Sequence, residues 1–80
     1  MPFISYTKFN TLKQTANNLL KHSGKFNTEQ KEYLDNVYSL LSALSKKMSK
    51  DLSDNTCDKY NTTLSKANAT LETIEKTITS

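Results

Sequence analysis

The apolar residues between positions 33 and 48 recur at alternating steps of three and four residues, and this spacing most constrains the fold. The residues that follow it are Leu34, Val37, Leu41, Leu44 and Met48. This is the period of an α-helix and not that of a β-strand. Tyr33 and Leu40 widen the apolar face on one side and Tyr38 widens it on the other, so that it spans roughly 160° at about 100° per residue. Because a helix with one neighbour needs a narrower face, the sequence predicts a central helix that contacts two others.

Local signals predict where this central helix begins. Asn27 is a good N-cap residue, and Gln30 three positions later can complete a capping box. Glu29 places a negative charge in the first turn, where the helix dipole favours it. We therefore expect the central helix to run from about residue 28 to about residue 49.

A first helix is predicted over residues 5–22. Its apolar positions, again three and four apart, are Phe9, Leu12, Ala16 and Leu19. Ser5 is a suitable N-cap residue. Gly24 lies where a left-handed residue would end the helix.

The third segment carries a strict heptad pattern, typical of coiled-coil packing. Its members are Cys57, Tyr60, Leu64, Ala67, Leu71, Ile74 and Ile78. The pattern predicts a helix over residues 54–79, about 39 Å long against about 27 Å for the first, so the third helix should project beyond the first. Polar residues at positions 51 and 55 interrupt the apolar face and predict a turn at 50–53. The alternative is one bent helix through both segments.

Short connections make consecutive helices antiparallel. The fold class predicted for residues 1–80 is therefore all-α, a single-domain, up-down-up antiparallel three-helix bundle with coiled-coil-like packing. A chain of 80 residues buries only about 60% of its extended-chain surface. Stability must therefore come from helix packing, either within one chain or with the help of a second chain. The expected core residues are Phe9, Leu12, Leu19, Leu34, Val37, Leu41, Leu44, Leu64, Leu71 and Ile74.

Residues for catalysis or metal binding do not cluster in the sequence. Cys57 is the only cysteine and His22 the only histidine, which excludes a four-ligand zinc site within one chain. The predicted topology places these two residues at opposite ends of the bundle, so they cannot form a nucleophile–base pair. With Gly24 as the only glycine, a glycine-rich phosphate loop is also excluded. We expect no enzyme activity, catalytic residue, cofactor or metal.

The charge pattern bears on partners and location. The net charge is +3, and all eleven basic residues are lysine. Arginine is preferred for bidentate recognition of phosphates and bases, so its absence weakens a nucleic-acid function without removing it. No run of eighteen apolar residues or secretory signal is seen, which predicts a cytoplasmic chain without a membrane span. Asn61 and Asn68 match the glycosylation sequon, which we attribute to chance in an Asn- and Thr-rich chain.

Apolar and tyrosine residues at the edges of the helix faces are typical of protein interfaces. The residues predicted to bind a partner are Tyr6, Leu20, Tyr38, Leu40, Ile74 and Ile78. The sequence thus predicts a non-enzymatic protein–protein interaction module, that is, a small adaptor, regulator or antagonist. Self-association as a homodimer through the third helix is one form of this function. The alternative is a small lysine-rich nucleic-acid-binding protein.

Overall fold

Three α-helices account for most of the chain in the computed structural model, which describes residues 3–48 and 52–79. Helix α1 is Tyr6–Leu20, α2 is Thr28–Lys47 and α3 is Asp54–Thr79, and a short 3-10 helix, Ser23–Lys25, lies between α1 and α2. α1 and α3 run parallel, with α2 antiparallel to both. The predicted up-down-up bundle is therefore confirmed.

The helix boundaries follow the sequence signals closely. α2 ends at Lys47. Because Leu52 and Ser53 are not helical, α2 and α3 are separate elements and not one bent helix. Residues 49–51, where we predicted the end of the central helix and the first half of the turn, lie outside the described residues.

Side-chain caps hold the starts of the first two helices as predicted. The Ser5 hydroxyl accepts a hydrogen bond from the backbone N–H of Lys8 at 3.2 Å. At the start of α2, Asn27 and Gln30 each accept a hydrogen bond from the other's backbone N–H, at 2.8 and 2.9 Å. This is a complete capping box, which satisfies two N–H groups that the helix itself cannot.

The end of α1 differs from the prediction, because Gly24 does not adopt a left-handed conformation. The chain instead leaves α1 through tight turns in which the Lys25 N–H donates to the His22 carbonyl, at 2.9 Å, and the Phe26 N–H to the Ser23 carbonyl, at 3.1 Å. The His22 N–H also donates to the Leu19 carbonyl of α1, at 2.9 Å, so the helix ends in i→i+3 bonds without a left-handed residue.

The core contains the expected residues, with one exception: Ile74 is half-buried. The other nine predicted core residues are buried. Two buried residues outside the α-helices, Ile4 and Phe26, extend the core beyond the predicted set, and Ala16, Cys57 and Ala67 complete it.

The prediction that the central helix contacts two others is confirmed. α2 contacts both other helices, but the most extensive contact is between α1 and α3, and the least extensive is between α2 and α3. Polar bonds tie α3 to the first segment: the Ser5 N–H donates to Asn61 Oδ1 at 2.7 Å, and the Thr15 hydroxyl donates to Asn68 Oδ1 at 2.8 Å.

Much of the extra length of α3 lies at its start. Because Ser5 lies beside Asn61, residues 54–60 extend beyond the first residue of α1. There they meet the end of α2, where the Lys47 ammonium lies 6.0 Å from the centre of the Tyr60 ring.

The other end of α3, which we predicted to project beyond α1, lies beside the residues that follow α1. His22 lines a cleft together with Thr79, and Ile74 and Ile78 are half-buried against the core. Ile74 and Ile78 are therefore partly covered, and the residues that follow α1 continue alongside this end of α3.

Candidate interaction surface

An open apolar groove runs between α2 and α3, with a volume of about 250 Å³. We call it the α2–α3 groove. Its lining residues are Tyr33, Asn36, Val37, Leu40, Thr63, Lys66 and Ala67. Val37 and Ala67 are buried, while Tyr33 and Leu40 are half-buried against the core. The groove thus leaves part of an apolar surface accessible from outside.

The groove exists because short side chains of α3 face longer ones of α2. Tyr33, Val37 and Leu40 follow one another at helical steps of four and three and line one wall. The opposite wall has Thr63 and Ala67, whose side chains do not fill the space. The Thr63 hydroxyl donates to the Lys59 carbonyl of its own helix at 2.9 Å, so it needs no polar partner from the groove.

Lysines border the groove. Lys66 is among the lining residues, and Lys59 lies two turns earlier along the same side of α3. Lys47 reaches from α2 towards the Tyr60 ring at the adjoining end. None of the seven lining residues is acidic. This face therefore combines an apolar floor with a basic border on its α3 side, formed by Lys59 and Lys66.

A second cleft, of about 260 Å³, lies between α1 and α2 and is more polar at its edge. Its lining residues are Phe9, Lys13, Tyr38, Leu41, Ser42 and Ser45. The Tyr38 hydroxyl crosses between the helices and donates to Asn17 Oδ1 at 2.7 Å. Burial raises the pKa of this hydroxyl above its ordinary value of 10.0. Tyr38 is thus engaged within the bundle.

A third cleft, of about 330 Å³, lies where α1 ends beside the last turns of α3. Its lining residues are Asn18, Leu19, Lys21, His22, Glu75 and Thr79. Lys13, Lys21 and Lys66 therefore line three different clefts, and the described lysines are spread over several faces of the bundle.

The structure divides the six predicted partner-binding residues among different surroundings. Tyr6 and Leu20 are 66% and 52% exposed. Leu40 lines the α2–α3 groove and Tyr38 the α1–α2 cleft. The remaining two, Ile74 and Ile78, pack against the core. These six residues do not form one continuous surface.

Sequence reasoning missed several features of the surface. Asn36, Thr63 and Lys66 of the groove were not singled out, although their positions beside Val37 and Ala67 could have revealed them. Phe3, which is 67% exposed, was also missed.

Cys57 and His22 lie far apart. Cys57 is buried near the start of α3, whereas His22 lies beside Thr79 at its end. Within residues 3–48 and 52–79, no group of three or more His, Cys, Asp or Glu residues is placed to hold a metal ion. None of the described helices is long and apolar enough to cross a membrane.

The two sequon asparagines have structural roles. Asn61 Oδ1 accepts from the Ser5 N–H at 2.7 Å, and its Nδ2 donates to the Phe3 carbonyl at 3.2 Å. Asn68 accepts from the Thr15 hydroxyl and donates to Glu72. Both amides are therefore occupied within the bundle.

Comparisons with protein-family models, with curated proteins and with solved structures found no match. The function is therefore inferred from the surfaces described above.

Proposed function

We propose that this chain is a non-enzymatic protein–protein interaction module, a small adaptor, regulator or antagonist that binds a helix of its partner in the α2–α3 groove. The observation that carries the proposal is the open apolar space between Leu40 on α2 and Ala67 on α3. An amphipathic helix laid in a groove between two helices is a recurring mode of protein recognition.

The size of the groove favours a helix over a small molecule. Pockets that enclose small ligands measure about 300–1,000 Å³, and the α2–α3 groove is smaller, at about 250 Å³, and open. A bound helix would add a fourth member to the bundle and cover the half-buried faces of Tyr33 and Leu40.

The expected affinity is modest. Burying two or three large apolar anchors contributes roughly 1.5–3 kcal/mol each, and association costs at least about 4 kcal/mol in lost freedom of motion. The most favourable balance of these terms, about 5 kcal/mol, corresponds to a dissociation constant of roughly 0.2 mM, so weak binding follows, which suits a transient regulator.

The two other functions considered from the sequence have less support. Self-association would need a face other than the end of α3, where Ile74 and Ile78 already pack against the core. Nucleic-acid binding would need many neighbouring lysines to meet one phosphate backbone. Lys59 and Lys66 share one side of α3, but Lys13 and Lys21 line other clefts, so the basic surface is small.

Peptide selection with a groove-filling variant tests the proposal. Ligands would be selected from an unbiased library of helical peptides against the whole chain, and their affinities measured for Thr63→Leu. The added side chain occupies space that a partner would use, so we expect a loss of at least about tenfold. Thr62→Leu, on the exposed side of α3, and Leu20→Ala, on α1, should retain binding.

Two results would count against this function. One is the failure of every helical peptide to bind. The other is a set of ligands that lose affinity for Leu20→Ala and keep it for Thr63→Leu, which would place recognition on α1.

A further inference from the structure

Resting on the proposed function, we infer that the occupant of the α2–α3 groove is an amphipathic helix of another protein with an acidic flank. Its apolar side would pack between Leu40 and Ala67, and its Asp or Glu residues would face the basic border.

The charges on the α3 side of the groove are of one sign, whereas Glu29 and Glu32 lie one turn before Tyr33 and Asn36 on the α2 side. Lys66 lines the groove, Lys59 lies two turns away on the same side of α3, and Lys47 approaches the Tyr60 ring. The nearest polar lining residues, Asn36 and Thr63, are neutral. A helix with acidic flanks would meet opposite charge along this border, and a basic helix would meet repulsion.

The same charges disfavour a second copy of this chain as the occupant. In a two-fold symmetric dimer, each residue near the axis faces its own counterpart. Because Lys66 lies within the groove lining, a symmetric contact centred there would bring two equal charges together. The chain as a whole also carries a net charge of +3, which opposes self-association further.

Surface ion pairs are individually weak, so the expected preference is limited. Three such pairs, each favourable with Glu and unfavourable with Lys, correspond to about a tenfold difference in affinity at low salt. The difference should shrink in about 0.5 M salt, because charges at the surface are screened there.

Three synthetic helical peptides can test the inference on the isotopically labelled whole chain. All three share one stripe of Leu and Ala at helical spacing and differ in their flanking residues, which are Glu, Gln or Lys. Binding is followed by NMR, with amide shifts expected at Tyr33, Leu40, Thr63 and Ala67. We expect the Glu peptide to bind about tenfold more tightly than the Lys peptide at low salt.

Charge reversal on the protein provides the matched comparison. Lys66→Glu should lower the affinity for the Glu peptide and raise the affinity for the Lys peptide. Lys13→Glu makes the same charge change in the α1–α2 cleft and should leave the order of affinities unaltered. Both positions are exposed, so both variants should fold, which circular dichroism can verify.

Each other outcome has a definite meaning. Equal binding of the Glu and Lys peptides, with shifts in the groove, overturns the acidic partner and leaves the proposed function standing. Absence of binding by all three peptides, or shifts confined to the α1–α2 cleft, overturns both. Concentration-dependent shifts at Leu40 and Thr63 without peptide would show that a second copy occupies the groove and overturn the inference.

Discussion

Single polar residues position a segment that has no regular structure of its own. Asn61 holds the backbone of Phe3 and of Ser5 through two hydrogen bonds. Ile4 lies between these two anchored residues and is only 4% exposed. A side chain on α3 thus fixes the register in which the segment before α1 enters the core.

Replacing Asn61 by Ala should destabilise the fold. Loss of two hydrogen bonds costs about 1–2 kcal/mol, and the better helix propensity of Ala returns up to about 0.7 kcal/mol, so we expect a net loss near 1 kcal/mol. Thr62→Ala is the matched control, since it changes propensity similarly at an exposed neighbour. Urea unfolding followed by circular dichroism measures both. If the two variants are equally stable, Asn61 does not anchor the segment.

Tyr38 makes the stability of the fold depend on pH in the alkaline range. Its pKa is raised by burial, so the folded state favours the neutral phenol more than the unfolded chain does. This contribution to stability is fully present below about pH 10 and is lost as the pH rises through the folded-state pKa.

Tyr38→Phe should therefore have two effects. At neutral pH it removes the bond to Asn17 and should cost about 0.5–1.5 kcal/mol. As the pH rises above about 10, its free energy of unfolding should fall less than that of the wild type. Denaturant titrations at several pH values check this, and parallel curves for the two proteins would contradict it.

At the scale of whole elements, helix extents could be predicted from the sequence, because caps and apolar periodicity are local. The capping box of Asn27 and Gln30 formed as expected, and α3 spans Asp54–Thr79 as predicted. The conformation at the end of α1 could not be predicted in the same way. Gly24 permits a left-handed turn but does not require one, and tight 3-10 bonds proved sufficient.

Gly24→Ala distinguishes the two conformations. Without a positive φ, and with nothing within 4 Å of an added Cβ, the substitution should stabilise the protein by about 0.4–1 kcal/mol because it restricts the unfolded chain. A left-handed Gly24 would instead make the same substitution destabilising. Thermal unfolding decides between these signs.

At the scale of the whole molecule, the relative spacing of the three helices depends on contacts between residues far apart in sequence. Bonds such as Thr15–Asn68 draw α3 towards α1, and apolar periodicity contains no signal for such pairing. The α2–α3 groove follows from that arrangement, which is why the sequence revealed Leu40 but not the surface to which it belongs.

Filling the groove should raise the free energy of unfolding of the isolated chain. Thr63→Leu adds apolar surface against Tyr33 and Leu40, and we expect a gain of about 0.5–1 kcal/mol relative to Thr62→Leu, which makes the same change on the exposed side of α3. Chemical denaturation of both variants measures the difference. No difference between them would mean that the space is closed in solution.

The contact between Asn61 and the backbone of Phe3 spans 58 positions of the chain, and this affects how the protein emerges from a ribosome. α1 and α2 can pair as a hairpin as soon as both are synthesised, because their connection is short. The Asn61 bonds on either side of Ile4 can form only after much of α3 has left the exit tunnel. During that interval its side chain remains in water, so the first apolar residue to be translated among those of the core is one of the last to be covered.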